Sequence, residues 1–155
     1  GKPLYYWESS IWITYFNEGS QHPDVFERIE EMIDLIKKKQ ITVLTSGLTR
    51  VELLELRIDP AKLRFYDEQL NRRNVHDVAV TRSIAALASD YRSHFPSLKS
   101  GKKIADAIHL ATAVDAVADE LHTTDEDDLL PCNGDSMLRG TQVIRPISAT
   151  PSLFR

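Results

Sequence analysis

The segment ITVLTSGLTRVE at residues 41–52 joins a run of β-branched residues to the start of an amphipathic helix. Ile41, Val43 and their neighbours are typical of a buried strand, and the residues that follow change to helical spacing. The same succession of a short apolar strand and a helix recurs along the chain. Such alternation predicts a parallel sheet with helices on both faces. We therefore expect an α/β protein, a three-layer α/β/α fold with a short parallel sheet of four or five strands.

The hydrophobic pattern outlines the individual elements of this sheet and its helices. Short β-rich runs predict strands at residues 4–7, 41–45, 75–80, 121–124 and 142–145. Helical spacing of apolar residues predicts helices at 11–16, 23–39, 51–58, 63–70, 84–95 and 104–118. Pro23 suits the first position of its helix, and Thr81 is a plausible N-cap. The segment from 126 to 140 is polar and rich in turn residues, which predicts an irregular connection.

Length and composition indicate one soluble globular domain. The chain has 155 residues, of which 42% are hydrophobic and 27% charged. We expect a single domain over 1–155, with an ordered core at about 3–147 and an irregular C-terminal tail. No apolar run is long enough to span a bilayer, so we expect no membrane partner. Cys132 is the only cysteine, which excludes an internal disulfide and is compatible with a reducing cytoplasm.

Four acidic residues lie where apolar segments end or begin. Glu8 follows the first predicted strand, Glu52 lies at the start of a helix after the second, and Asp125 follows the strand at 121–124. Asp106 opens a helix that is otherwise apolar around most of its circumference. Strand ends and helix starts of a parallel sheet meet at one edge, where ligands bind. Carboxylates gathered there repel one another unless a cation lies among them, and oxygen ligands of this kind suit Mg2+ or Mn2+.

Each acid also has a simpler structural interpretation. Glu52 with Glu55 could form a solvated helix face, and the acids from Asp125 onwards could form a solvated turn. Asp106 favours function more strongly, because a carboxylate in an apolar helix is seldom left unpaired. As a residue at a helix start it is also expected to stay ionised. His109, one turn further along, is more often a packed, hydrogen-bonded helix residue than a metal ligand.

The net charge of −4 argues against a protein that coats nucleic acid through bulk charge, although it leaves room for local basic contacts. Lys99, Lys102 and Lys103 immediately precede the helix that carries Asp106. They are placed to line the mouth of an acidic site and to hold phosphates.

Three motifs in this order resemble a known family. They are Trp7-Glu8-Ser9-Ser10, the run Ala105-Asp106-Ala107-Ile108-His109-Leu110-Ala111-Thr112-Ala113, and Thr123-Thr124-Asp125 after a strand. Together with a Glu in the helix after the second strand, they resemble the PIN-domain ribonucleases, including VapC-type toxins of toxin–antitoxin pairs. The resemblance extends from Leu4 to about Ile147.

The resemblance implies an endoribonuclease that depends on Mg2+ or Mn2+ and hydrolyses RNA phosphodiester bonds. It also implies an RNA substrate, an antitoxin protein as partner, and a homodimer. The implied catalytic acids are Glu8, Glu52, Asp106 and Asp125, and the implied metal ligands are Glu8, Asp106 and Asp125. The implied helpers are Ser9, Ser10 and Asp128, and the candidates for RNA contact are Arg50, Lys99, Lys102 and Lys103.

Glu8 departs from the pattern, because the family normally has Asp at this position. A glutamate keeps the charge but extends the side chain by one methylene, and a misplacement of about 1 Å can cost about a hundredfold in rate. Three explanations stay open: a natural site tuned to Glu, an engineered weakening, or an inactive copy. The alternative function is therefore a catalytically impaired PIN-like module that binds RNA or protein. A receiver-like domain also gathers acids at strand ends, but the lysine expected after a late strand is missing.

Overall fold

The computed structural model describes residues 1–149, which form a five-stranded parallel sheet covered by helices. The strands β1 to β5 are, in chain order, Leu4–Trp7, Thr42–Ser46, Val75–Val78, Glu120–His122 and Gln142–Ile144. The helices α1 to α6 are Ser9–Phe16, Pro23–Lys37, Gly47–Glu55, Pro60–Leu70, Arg82–His94 and Ile104–Asp115. Short 3-10 turns lie at Pro96–Leu98, Gly101–Lys103, Leu130–Cys132 and Ser136–Leu138.

The strand order β3-β2-β1-β4-β5 places the first strand at the centre of the sheet. β1 pairs with β2 on one side, with Tyr6 opposite Leu44, and with β4 on the other, with Trp7 opposite His122. All strands are parallel, but successive strands are added on one side of β1 and then on the other, so the strand order reverses at β1. In a parallel α/β sheet, such a switch opens a crevice at the carboxyl ends of the strands.

Two hydrophobic cores, one on each face of the sheet, make the three layers. On one face α5 and α6 pack against Tyr6, Leu121 and Val143. On the other face α1, α2 and α4 pack against Trp7 and Val43. The alternation of Tyr6 and Trp7 between these cores follows from the two-residue repeat of a strand. The predicted three-layer α/β/α fold with a short parallel sheet is confirmed.

Local signals account for most helix boundaries. Thr81 caps α5, as predicted, and its hydroxyl accepts a hydrogen bond from Ile84 N at 3.2 Å. Ser46 caps α3 in the same way, accepting from Leu48 N at 3.1 Å. Pro23 stands at the first position of α2. The hydroxyl oxygens of Thr81 and Ser46 satisfy backbone N–H groups that the helix itself leaves unpaired.

The structure differs from the sequence prediction mainly in α3 and β3. The predicted apolar stripe of α3 is exposed, since Val51 and Leu54 are 53% and 52% accessible, whereas Leu53 is buried. Val80 lies beyond the end of β3 and is 46% exposed. The predicted irregular segment from 126 to 140 contains two 3-10 turns.

Part of the predicted C-terminal tail lies outside the described residues. Residues 146–149 include no helix or strand, and Ser148 is buried with its hydroxyl donating to Glu31 Oε1 at 2.5 Å. The rest of the predicted tail, 150–155, is not among the described residues. Within 1–149, none of the helices combines the length and apolar character needed to cross a bilayer.

Candidate active site at the carboxyl edge of the sheet

Three carboxylates converge at the edge where β4 ends and α6 begins. Asp106, Asp125 and Asp128 each offer an oxygen, and these oxygens all lie within 4.8 Å of one another. All three side chains are partly buried. Asp106 comes from the first turn of α6, and the other two come from the loop that follows β4. The loop and the helix start are adjacent because the carboxyl end of β4 faces the amino end of α6.

The loop that carries two of these acids is held in shape by its own hydrogen bonds. Asp125 Oδ1 accepts from the backbone N–H groups of Asp127 and Asp128 at 3.2 and 3.1 Å. The backbone N–H of Asp125 donates to Thr123 Oγ1 at 3.0 Å. One oxygen of Asp125 therefore organises the turn.

Burial and neighbouring carboxylates raise the pKa of Asp106. Burial, and then the charges of Asp125, Glu8 and Asp128, raise the pKa of Asp106 to about 7 from an ordinary 3.8. Burial is also the main cause that raises the pKa of Asp125. The expectation that Asp106 stays ionised because of the helix dipole is therefore wrong. Burial and three neighbouring carboxylates outweigh a dipole effect that is typically below about 1 kcal/mol.

Lys103 supplies a positive charge beside the cluster. Its Nζ lies 2.5 Å from Asp128 Oδ2, and the lysine side chain is about one-third exposed at 32%. The hydrogen bond to Asp128 is the main cause that raises the pKa of Lys103, and the charges of Asp106 and Asp125 act in the same direction. The ammonium thus offsets part of the negative charge of the site.

Glu8 lies at the end of β1 and is only 6% exposed. Its carboxylate accepts three hydrogen bonds, from Ser10 N at 3.1 Å, Ser10 Oγ at 2.5 Å and Thr123 Oγ1 at 2.7 Å. The longer glutamate side chain thus caps α1 and ties the end of β1 to the end of β4. Glu8 is not a member of the three-carboxylate cluster, but its charge helps to raise the pKa of Asp106. Its role as a metal ligand stays a prediction.

Glu52 belongs to a second hydrogen-bonded group. Its Oε1 accepts from Ser9 Oγ at 2.6 Å and lies 2.6 Å from His109 Nε2. Burial raises the pKa of Glu52, but the hydrogen bond from His109, the histidine charge and Ser9 outweigh it, so the pKa lies below its ordinary value. The pKa of Glu52 therefore lies below its ordinary value and that of Asp106 above, which separates the two carboxylates chemically.

The sequence-predicted residues accordingly fall into three groups. Asp106, Asp125 and the helper Asp128 form the cluster, Glu8 and Ser10 form a network with Thr123, and Glu52 pairs with Ser9 and His109. Thr123 has no predicted role of its own, although its place two residues before Asp125 is the available signal. The contacts of His109 with Tyr6 and Glu52 depend on the fold and leave no such signal.

The predicted RNA-contact residues differ in how far they are already paired. Lys99 and Lys102 are exposed on the turns before α6. The carbonyls of Leu98, Lys99 and Ser100 hold this segment by accepting from the Arg92 guanidinium at 3.1 to 3.2 Å. Arg50 instead forms an exposed ion pair with Asp67 on α4.

The cluster fits a divalent cation. Its donors are carboxylate oxygens, which suit Mg2+ and Mn2+, and they come from three side chains that converge within a few ångströms. Burial and the neighbouring negative charges raise the pKa of Asp106, so a cation among these carboxylates would favour its ionised form.

Comparison with known proteins agrees with the fold. The sequence profile of the PIN domain matches residues 5–130. VapBC2 from Rickettsia felis, solved bound to a promoter DNA fragment, superposes with a TM-score of 0.62 at 15% identity over 92% of this chain and 98% of that one. VapC20 from Mycobacterium tuberculosis, a sarcin-ricin loop cleaving toxin, superposes with a TM-score of 0.56 at 20% identity. The match covers 79% of this chain and 91% of that one.

A third solved structure, FitAcB from Neisseria gonorrhoeae, gives a TM-score of 0.56 at 17% identity and covers 92% of this chain and 97% of that one. At these identities the likeness shows a shared fold. Curated protein sequences give no match.

Proposed function

Because the chain belongs to the PIN domain family, we propose that it is a divalent-metal-dependent endoribonuclease and the toxin of a toxin–antitoxin pair. The observation that carries this proposal is the convergence of Asp106, Asp125 and Asp128 at the carboxyl edge of the sheet. Membership of the family supports a nuclease, and the acidic cluster supports its dependence on a divalent cation.

The acids take different roles in the proposed reaction. Asp106 and Asp125 would hold the cation, with Asp128 and Glu8 beside them. A divalent ion bound there lowers the pKa of water and stabilises charge that develops on the phosphate. Glu52 is ionised and partly exposed, so its carboxylate can orient the attacking water and accept its proton.

Basic residues near the cluster would hold the RNA backbone. Lys99 and Lys102 are exposed on the segment that leads into α6, and we assign them contacts with phosphates. Lys103 would leave Asp128 for a phosphate when a cation takes over the charge balance of the cluster. Arg50 is a weaker candidate, because it would have to exchange Asp67 for a phosphate.

The proposed antitoxin needs a surface to bind. An aromatic groove of about 480 Å³ lies between α1, α2 and α4, and Tyr15, Phe26 and Phe65 line it. The Tyr15 and Phe65 rings stack at a centroid distance of 5.1 Å. We assign this groove to an apolar segment of the antitoxin, because two of the similar structures are VapBC and FitAB complexes. The exposed apolar residues Val51 and Leu54 of α3 are our candidates for a homodimer contact.

The proposal is tested with purified protein, a structured RNA substrate, and Mg2+ or Mn2+. We expect cleavage that EDTA abolishes and that Asp106→Asn reduces by at least about a hundredfold, as is usual for loss of a principal electrostatic group. Asp127→Asn is the matched control, because Asp127 is exposed in the same acidic loop but is not part of the cluster. Cleavage that continues in EDTA and in Asp106→Asn would refute the assignment.

A second candidate is a PIN-like module that binds RNA or protein without cutting. The observation in its favour is Glu8, whose carboxylate already accepts three hydrogen bonds from Ser10 and Thr123. Glu8→Asp distinguishes the two functions if the unaltered protein is inactive. Cleavage gained by the shorter side chain would identify a weakened nuclease, and continued inactivity with retained RNA binding would identify the binding module.

A further inference from the structure

A chain of buried hydrogen bonds leads from the central strand to Glu52. The Tyr6 hydroxyl lies 2.6 Å from His109 Nδ1, and His109 Nε2 lies 2.6 Å from Glu52 Oε1. Tyr6 and His109 are both 0% exposed. The three residues come from β1, α6 and α3, and they are far apart in sequence. Only the fold brings them together.

The chemistry of the partners determines the direction of each hydrogen bond. Glu52 Oε1 already accepts a hydrogen bond from Ser9 Oγ, and the oxygens of a carboxylate only accept. The proton that lies between Glu52 and His109 is therefore on His109 Nε2. In a neutral imidazole this leaves Nδ1 as an acceptor, and the Tyr6 hydroxyl is the donor that it meets. Burial, followed by the Glu8 charge, raises the pKa of Tyr6 well above its ordinary value, so the phenol keeps its proton.

We propose that Tyr6 and His109 are positioning residues of the nuclease site, which fix the orientation of the Glu52 carboxylate through one tautomer of the histidine. This inference rests on the proposed function. Tyr6 donates to Nδ1 and thereby selects the tautomer that carries its proton on Nε2. His109 Nε2 then donates to Glu52 Oε1.

The two donors to Glu52 meet on a single oxygen. Ser9 Oγ and His109 Nε2 both bind Oε1, and no hydrogen bond within residues 1–149 ends on Oε2. The Glu52 side chain is 31% exposed, so Oε2 is available to water. Two donors on one oxygen hold the carboxylate plane, and this leaves the other oxygen as the proton acceptor. For a general base that accepts a proton from water, correct orientation is the first requirement and a suitable pKa is the second.

Packing alone does not require a histidine at this place. The surrounding positions of α6 are buried apolar residues, among them Ala107, Leu110 and Ala111. An apolar side chain would fill the site without the need to satisfy two ring nitrogens. Burying a histidine costs free energy unless both ring nitrogens are hydrogen-bonded, and here those bonds connect the buried Tyr6 hydroxyl to Glu52, an acid of the proposed site.

Kinetics of single variants form the first part of the test. His109→Leu removes the donor to Glu52, and we expect kcat to fall roughly ten- to hundredfold, the range for one hydrogen bond to a charged group, with KM unchanged. His109→Gln keeps an N–H donor near the Nε2 position and should recover most of this loss. Thr112→Val is the matched control, because it removes a buried side-chain hydrogen bond of 2.6 Å one turn further along α6 and leaves Glu52 intact.

A double-variant comparison tests whether Tyr6 acts through His109. Tyr6→Phe keeps the ring and its packing, and we expect a severalfold fall in kcat. In a protein that already carries His109→Leu, the same change should have no further effect on kcat, because the connection to Glu52 is gone. Equal effects of Tyr6→Phe in both backgrounds would mean that the Tyr6 hydroxyl acts independently of His109, and this would overturn the inference.

An NMR measurement that does not depend on RNA cleavage completes the test. ¹⁵N NMR of the histidine ring should show His109 protonated at Nε2, and Tyr6→Phe should shift its two nitrogen signals toward a mixture of tautomers. Protonation at Nδ1 would overturn the inference even if the protein cleaves RNA. If the unaltered protein does not cleave RNA, the proposed function fails by itself, and the NMR result still decides whether Tyr6 sets the tautomer. Melting curves identify any variant that does not fold, in which case Tyr6→Phe and His109→Gln decide the outcome.

Discussion

Replacing Asp106 by asparagine should stabilise the protein against unfolding at pH 8 in the absence of divalent cations. The carboxyl of Asp106 has a pKa of about 7 in the folded chain, against an ordinary value of 3.8. Because the folded pKa is the higher one, the folded chain binds the proton more tightly than the unfolded chain. The contribution of this group to stability is therefore complete below about pH 3.8 and is lost as the pH rises through 7.

The size of the effect follows from the difference between the two pKa values. A difference of 7 − 3.8, or 3.2 units, at about 1.36 kcal/mol per unit corresponds to about 4 kcal/mol above pH 7. This is an upper limit, because the pKa of Asp125 is also raised and this carboxyl can take up a proton in place of Asp106. Half of it, about 2 kcal/mol, corresponds to a rise of roughly 4 to 8 °C in Tm for a domain of this size.

The assay is thermal unfolding followed by circular dichroism between pH 4 and pH 8 in EDTA. The advantage of Asp106→Asn should be small at pH 4 and grow as the pH rises, since only the unaltered chain must ionise this carboxyl in the fold. Added Mn2+ should reverse the order of the two proteins, because a bound cation stabilises only a site that keeps its carboxylate. Asp115→Asn, exposed at the other end of α6, is the matched control and should change Tm little.

One result would refute this reasoning. If Asp106→Asn is no more stable than the unaltered protein at pH 8 in EDTA, and if Mn2+ affects both proteins alike, the carboxylates do not form a coupled cation site. The metal-dependent function would then lose its physical basis.

Three further predictions concern the surroundings of the site. Lys103→Met removes the ammonium that pairs with Asp128, so isothermal titration calorimetry should show tighter Mn2+ binding, because no internal cation competes. Thr123→Val removes a donor to Glu8, and urea unfolding should show a loss of about 1–3 kcal/mol, the usual cost of leaving a buried charged group short of a partner. Val51→Glu places a charge on the exposed face of α3 and should convert the proposed homodimer to a monomer in light scattering after size exclusion.

A specific result would contradict each of these three predictions. Equal Mn2+ affinity for Lys103→Met and for the exposed control Lys102→Met would show that Lys103 does not compete with the cation. Unchanged stability of Thr123→Val would show that water satisfies Glu8. A monomeric unaltered protein would remove the dimer from the proposal.

Local patterns in the sequence were enough to predict the class of fold. The strand predicted at 41–45 is found at Thr42–Ser46, because a β-branched run reports backbone preferences over a few neighbouring residues. Thr81 and Pro23 mark helix starts for the same reason, since capping depends on one or two residues. α3 is the exception. Its apolar stripe is exposed, because periodicity identifies a face and tertiary packing decides where that face points.

The sequence alone placed acids at the ends of strands, and this suggested a cation site at the edge of the sheet. The tertiary structure alone decided how those acids are grouped. Asp128 joins Asp106 and Asp125, whereas Glu8 binds Thr123, a residue 115 positions away. Tyr6 and His109, 103 positions apart, meet only in the fold. The reason is physical: hydrogen bonds and mutual repulsion act over a few ångströms, and distances of that size between remote residues exist only after the chain has folded.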